Sequence, residues 1–307
     1  MKRFGPLLST VFLLLALTFP AGAASAKTRK KPAARPAPTP VPEVAEPFPV
    51  DVQFDGVPQI AAGSAIVVDA ATGAILHEVN ADQPRPVAST QKLLTALIVA
   101  EEGNLDQQVR VEASDTWAEP TKLGFKPGET YSRLNLLRVM LVHSMNDVAR
   151  ALARDNAGSL EAFAAKMNAK AAQLGMRRSN FVNPNGLPAL GQFSTARDMA
   201  RVAMMAYRNR TIRGIVNLKS VAWRYNDGRV RMFDTTNKVL KRYDFCNGMK
   251  TGYTEAAGHC LISSASYNGR DVIVVMLGDT RNIWVDSYRL LAWGLAGVEK
   301  RSVIGEK

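Results

Sequence analysis

Apolar positions along this chain change period twice. Ser64-Ala65-Ile66-Val67-Val68-Asp69 and Ala74-Ile75-Leu76-His77-Glu78-Val79 are two β-rich runs around Thr72-Gly73, which predicts a hairpin. From Leu93 the pattern turns helical: Leu93, Leu94, Leu97 and Ile98 follow a 3.6-residue period that stops at Gly103. Helical patterning continues over 134–140, 148–156, 160–174 and 195–207. Strand patterning then returns. Residues 221–225 and 229–233 flank the turn signal Asn226-Asp227-Gly228, and further strands are predicted over 248–254, 258–266 and 271–278. The last two are joined through Asn268-Gly269, a tight-turn dipeptide. Residues 282–295 close as a helix, with Trp284, Leu290, Leu291 and Trp293 available for packing. Strands at both ends with helices between them predict an α+β fold: one antiparallel sheet assembled from both chain ends and covered by helices.

The N-terminus lies outside this pattern. Met1-Lys2-Arg3 is a basic start, an apolar run extends from Pro6 to about Phe19, and Ala24-Ser25-Ala26 offers small residues for cleavage. This is the layout of a secretory signal peptide over 1–26, and the run is shorter than the roughly 20 residues a spanning helix needs. Residues 27–55 are rich in Lys, Arg, Ala and Pro and read as an extended basic linker. The globular domain is expected over 56–300 with a tail over 301–307, and the mature protein is expected to be exported and soluble. Cys246 and Cys260 flank one predicted hairpin; outside the cytoplasm they read either as a bridge or as two buried free thiols.

Composition narrows the function classes. The 307 residues are 47% hydrophobic and 21% charged, enough for a packed core, and the formal charge of +12 points to anionic partners. No zinc-finger spacing or Arg-rich recognition helix is present, so nucleic acid is not expected; an anionic cell wall or a carboxylate-ended substrate fits the charge. His77, His143 and His259 are scattered and form no ligand pattern, so neither metal nor cofactor is expected. No Gly-x-Ser-x-Gly elbow is present, which argues against a Ser-His-Asp hydrolase.

Three short strings carry the candidate chemistry. In Ser89-Thr90-Gln91-Lys92, a helix would put hydroxyl and amine on one face, with Ser89 near the positive helix end. A lysine serves as base only if burial or a second cation depresses its pKa, and Lys250 would be that cation if the strings converge. Ser144-Met145-Asn146 offers a hydroxyl and an amide for proton relay and for a peptide carbonyl; alone, it reads equally well as a helix N-cap. Lys250-Thr251-Gly252 lies on a predicted strand, where a lysine beside a hydroxyl suits a carboxylate. Gly252 permits close approach, and an exposed strand edge can pair with an extended peptide. Singly, each string has an ordinary structural explanation; their order and spacing give them weight.

The surrounding blocks, from about Ala62 to about Gly278, resemble the serine D-alanyl-D-alanine carboxypeptidases, the low-molecular-mass penicillin-binding proteins. The blocks include Ala88 to Ala96, Phe125-Lys126-Pro127-Gly128-Glu129, His143 to Ala149, Phe181 to Leu187, Ser194 to Ala200, Thr236-Asn237-Lys238, Gly248 to Thr254 and Ala257 to Leu261. The resemblance implies a penicillin-binding protein/β-lactamase-like fold with a mainly helical subdomain. It implies a catalytic group of Ser89, Lys92, Ser144, Asn146 and Lys250, and substrate binding by Lys250, Thr251, Gly252 and Tyr253. Ser89 would attack the carbonyl between the last two D-alanines of a peptidoglycan stem peptide, with Lys92 as base. Ser144, in contact with Lys250, would pass a proton to the leaving D-alanine. The backbone N–H groups of Ser89 and Tyr253 would form the oxyanion hole, and β-lactams would acylate Ser89.

Two departures bear on specificity. Met145 is bulkier than the Gly, Ala or Asp often found at the middle of the second motif, and its side chain is expected to narrow the cleft. The chain stops about one helix after the catalytic strands, without the second β-rich domain and membrane-binding tail of many such carboxypeptidases. That shortening also resembles soluble relatives that cut D-Ala–diaminopimelate cross-links, so a DD-endopeptidase is the alternative. A β-lactamase lacks support because the Asn183-Pro184-Asn185-Gly186 region carries no Glu-x-x-Leu-Asn. A non-catalytic wall-binding protein would not need the full catalytic set.

Overall fold

A hairpin of β1 (Ala62–Asp69) and β2 (Ala74–Val79) opens the described part of the chain, which covers residues 54–297 and the backbone of 302–303 in a computed structural model. The signal peptide expected over 1–26 and nearly all of the linker expected over 27–55 lie outside the described residues, as does most of the tail. Asp69 shapes the hairpin turn: its Oδ1 accepts from the backbone N–H groups of Ala71 and Thr72 at 3.1 and 2.7 Å.

A 3-10 turn (Ala88–Gln91) runs directly into α1 (Lys92–Glu101). Then come β3 (Gln108–Arg110), a second 3-10 turn (Ala113–Thr116), β4 (Thr130–Ser132), α2 (Arg133–His143), α3 (Asn146–Ala157) and α4 (Leu160–Gln173). They are followed by α5 (Ala196–Arg208), α6 (Arg210–Val216), the hairpin β5 (Ser220–Arg224) and β6 (Val230–Asp234), and α7 (Lys238–Arg242). The chain finishes with β7 (Cys246–Thr254), β8 (Gly258–Tyr267), β9 (Arg270–Asp279), α8 (Ile283–Leu295) and β10 (Ser302–Val303). The sequence pattern missed β3, β4, α6 and α7, which are too short for a period to register.

The main sheet has the order β10-β2-β1-β9-β8-β7, with antiparallel neighbours throughout. β1 pairs with β9 from Ala62↔Asp279 to Asp69↔Val272, so the two ends of the chain build one sheet as the alternation of elements predicted. Its strands are apolar on both faces. Ile66, Val68, Ile273, Val275 and Leu277 join the larger core with helices α1 to α6, whereas Ala65, Val67, Val272, Val274 and Met276 pack with Leu290, Leu291 and Trp293 of α8. Each fully buried Val, Leu or Ile contributes about 1.5–3 kcal/mol by leaving water, which holds the sheet between two layers. β7 lies at the sheet edge, so one side of this strand is open.

The cysteines are two buried free thiols. Cys260 on β8 faces Gly252, and Gly252 lies six residues along β7 from Cys246. That is roughly 20 Å of strand, far beyond the reach of a disulfide. Burial pushes Cys246 up to about 12 and Cys260 up to about 11.

Candidate active site

Ser89 lies inside the 3-10 turn and Lys92 opens α1, which realises the one-face spacing expected from the sequence. The residue before the nucleophile, Ala88, is buried at φ 48°, a left-handed conformation that is uncommon for a residue with a Cβ. Two backbone approaches hold this turn. A Cβ on Gly252 of β7 would lie 2.8 Å from the Ser89 nitrogen, and a Cβ on Gly186 would collide with the Ala88 carbonyl oxygen. Glycine at both positions lets the edge strand and the 183–188 loop press on the turn from two sides.

Lys92 is wholly buried, and its Nζ has three partners: Ser89 Oγ at 2.7 Å, Asn146 Oδ1 at 2.6 Å and the Asn185 carbonyl oxygen at 2.7 Å. Desolvation holds this amine well below the ordinary lysine range; the Lys250 cation adds to the depression and Asp147 opposes it. Two of the partners can only accept. A neutral amine meets both with its two N–H groups and leaves its lone pair facing the Ser89 hydroxyl. Lys250 is buried too, and desolvation pushes it down to about 7.

The second motif is a helix junction. Ser144 ends α2 in the left-handed region at φ 69°, and α3 begins at Asn146. The N-cap reading for Ser144 is therefore replaced by a C-terminal cap. Asn146 is fixed by Lys92, by the Pro120 carbonyl, which accepts from Nδ2 at 2.5 Å, and by the Thr121 carbonyl, which accepts from its backbone N–H at 2.9 Å. The amide keeps a second N–H for another acceptor. Asp147 secures the same wall: its carboxylate accepts from the N–H groups of Leu123, Gly124 and Val148 at 2.9–3.0 Å. Met145 does not narrow the cleft. The turn at Ser144 sends it into the large core, where it is 1% exposed.

The third motif runs along the open edge of β7. Thr251 Oγ1 is 2.6 Å from Thr236 Oγ1, and Asn237 ties the two segments together by donating to the Gly248 carbonyl at 2.9 Å while capping α7. Lys250 Nζ donates to the Thr251 carbonyl at 2.9 Å; among the hydrogen bonds of the described residues, none joins it to Ser144, the contact implied by the resemblance. Ser89, Ser144, Asn146, Thr251, Gly252 and Tyr253 all line one cleft of about 1060 Å³, with Lys92 and Lys250 beneath its floor. The Tyr253 side chain stands at the rim, 59% exposed, its ring 4.7 Å from that of His259.

Residues 51–281 match the family model described as D-alanyl-D-alanine carboxypeptidase. The chain belongs to this family. It is 32% identical over 222 residues to the D-alanyl-D-alanine carboxypeptidase DacF of Bacillus subtilis, an overlap covering 71% of this chain and 57% of that protein's length. It is 33% identical over 245 residues to a D-alanyl-D-alanine endopeptidase of Escherichia coli, covering 77% of this chain and 78% of the relative. The crystal structure of a D-alanyl-D-alanine carboxypeptidase from Mycobacterium tuberculosis superposes with a TM-score of 0.77 at 32% identity, covering 82% of this chain and 99% of that one. The family fold is therefore the penicillin-binding-protein type expected from the sequence.

Several parts of this family site escaped sequence reading. Asn185 acts through its carbonyl, which no side-chain pattern signals. Gly186, Pro120 and Thr121 likewise contribute backbone. Thr236, beside Thr251, was visible only as part of a matched block.

Proposed function

We propose that this chain is a serine D-Ala-D-Ala carboxypeptidase acting on peptidoglycan stem peptides through an acyl-enzyme on Ser89. The observation that carries this reading is the partner set of Lys92, two carbonyl-type acceptors and the Ser89 hydroxyl 2.7 Å away. Ser89 Oγ attacks the carbonyl carbon of the penultimate D-alanine as its proton passes to Lys92 Nζ. The developing oxyanion is met by the N–H groups of Ser89 and Tyr253, brought together by the Gly252 approach. Collapse breaks the C–N bond, and the proton taken up by Lys92 passes by way of the Ser144 hydroxyl to the leaving D-alanine nitrogen, which leaves Lys92 neutral again. The free N–H of Asn146 holds a substrate carbonyl, while the Thr251 hydroxyl takes the terminal carboxylate and the buried Lys250 supplies positive charge from beneath the floor. Water then cleaves the ester and returns Ser89 Oγ–H. A strained β-lactam amide enters by the same first step and acylates Ser89. Labelling with a tagged penicillin followed by peptide mapping tests the assignment; label on a residue other than Ser89 refutes it.

The second reading is a DD-endopeptidase. It is favoured by the length of the cleft, which continues past Thr254 to His259 and Trp284 and leaves room for a cross-linked partner peptide. Turnover of free pentapeptide against cross-linked dimer separates the two. The basic, apolar and small-residue succession over 1–26 supports export through a cleaved signal peptide into the periplasm or wall space, and the charge of +12 supports contact with an anionic wall. No helix among the described residues is long and apolar enough to cross a membrane.

A further inference from the structure

We propose that Trp117 is a sugar-stacking platform that seats the glycan strand of peptidoglycan beside the cleft; this rests on the carboxypeptidase reading. Trp117 is 73% exposed, although tryptophan is on average a well-buried residue. Its exposure does not come from a loose loop. Asp115 and Ala118 on either side are 1% and 2% exposed, so the indole is turned outward between two anchored neighbours. Two arginines of α3 hold the turn. Arg154 binds Asp115 through Nε at 3.0 Å and Nη2 at 2.8 Å, and Arg150 donates to the Ser114 carbonyl at 3.2 and 3.0 Å. Glu112 and Asp115 add a capping box. The helix that supplies Asn146 to the cleft thus also braces the turn that presents the indole.

Position and chemistry point to the occupant. Three residues after Trp117 comes Pro120, which lines the cleft and accepts from Asn146. Three residues span at most about 10 Å, and hydrogen bonds link Pro120 to Asn146, Asn146 to Lys92 and Lys92 to Ser89, so the Trp117 backbone lies within roughly 20 Å of the reaction centre. A stem peptide whose last bond is cut at Ser89 must carry its sugar about that far upstream. A flat apolar face flanked by polar groups suits a pyranose ring, which has C–H groups on its faces and hydroxyls at its edge. Glu119 and Lys122, paired with each other, follow Trp117 closely in sequence, and Lys122 Nζ donates to the carbonyl of Thr116, the residue before the indole, at 3.2 Å. They offer acceptor and donor for hydroxyl and acetamido groups.

The test compares the wild type with Trp117→Ala, Trp117→Phe and, as a second exposed apolar side chain, Leu190→Ser, which is 101% exposed. Each is assayed on a free pentapeptide ending in D-Ala-D-Ala and on the same peptide attached to its disaccharide. Trp117→Ala is expected to lower kcat/KM on the glycopeptide relative to the free peptide by about three- to tenfold, the scale of one aromatic face contact. Trp117→Phe should retain part of this preference, and Leu190→Ser should leave the ratio unchanged. An unchanged ratio in Trp117→Ala, or an equal fall in Leu190→Ser, overturns the proposal. Binding is read separately from intrinsic fluorescence on titration with a soluble N-acetylglucosamine tetramer. The expected change is present in the wild type and absent in Trp117→Phe; no response in the wild type, or an equal response in both, also overturns it. Loss of turnover on both substrates by the wild type would instead sink the carboxypeptidase reading, while the fluorescence titration would still judge Trp117.

Discussion

The Lys92 amine lies 2.7 Å from the Ser89 hydroxyl, and its other two partners, Asn146 Oδ1 and the Asn185 carbonyl, can only accept. That relationship makes the charge on Lys92 the switch for acylation. Lys92 is held below the ordinary lysine range by burial and by Lys250, so its neutral form persists at pH values where a solvated lysine is protonated. The rate of Ser89 acylation by penicillin is predicted to fall as pH drops and Lys92 gains a proton. Lys92→Met should lose at least about 1000-fold at all pH values, because no base remains. Stopped-flow acylation across pH 5–9 checks both; a pH-independent rate in the wild type would remove Lys92 as the base.

The same burial has a signature in stability. Lys250 has a folded pKa of about 7 against an ordinary value of 10.5. Between these values the unfolded chain binds more protons than the folded one, so stability rises with pH, by at most about 1.4 kcal/mol per pH unit for one such group. The buried thiols act oppositely: Cys246 and Cys260, raised to about 12 and about 11, favour unfolding once free thiols begin to ionise near 8.5. Urea midpoints are predicted to rise from pH 7 to about 8.5, and the rise should shrink in Lys250→Met.

Gly252→Ala is predicted to preserve the fold and impair chemistry. The added Cβ would sit 2.8 Å from the Ser89 nitrogen and 3.0 Å from Ala88 Cβ, forcing β7 away from the turn. A displacement approaching 1 Å costs on the order of 100-fold in rate. Penicillin acylation kinetics beside a thermal melt measure the two effects; an unchanged rate would show that close packing of strand and turn is unnecessary.

Asp147→Ala should act mainly on stability. It strips the buried N–H of Leu123 of its acceptor, at about 1–3 kcal/mol, and the exposed N–H of Gly124 of the same carboxylate at less cost, because water can replace it there. Chemical denaturation reads the loss, expected at about 1–3 kcal/mol. A smaller effect on KM should follow from loosening Pro120 and Thr121.

Thr251→Val is predicted to raise KM for peptides ending in a free carboxylate several-fold by deleting one hydrogen bond to it. Thr236→Val, which removes the partner 2.6 Å from that hydroxyl, should do so less. Steady-state kinetics on a free and an amidated peptide terminus separate carboxylate binding from general damage.

Much of this was legible in the residues. Helices α1 to α5 and α8 announce themselves by period, and the hairpins by their Gly and Asn-Gly turns. Ser89, Lys92, Asn146 and Lys250 were singled out because order and spacing restrict side-chain chemistry, and the fold brings them to one cleft. Asn185 and Gly186 were not read as site residues because they work through a carbonyl and through the lack of a Cβ, and only three-dimensional proximity reveals either. Met145 was misjudged for a related reason: its direction is set by the left-handed turn at Ser144, which side-chain size does not reveal. The alternatives left open for the cysteines were settled by register, since Cys260 faces Gly252 and not Cys246.

The pairing of β1 with β9 joins Ala62 to Asp279 across most of the chain. During synthesis, one edge of β1 must wait for the final strands before it can be closed. A ribosome that has made only the first half of the protein holds a polymer that cannot complete its central sheet. Such a late-closing topology makes any product truncated before β9 a non-native, edge-exposed species.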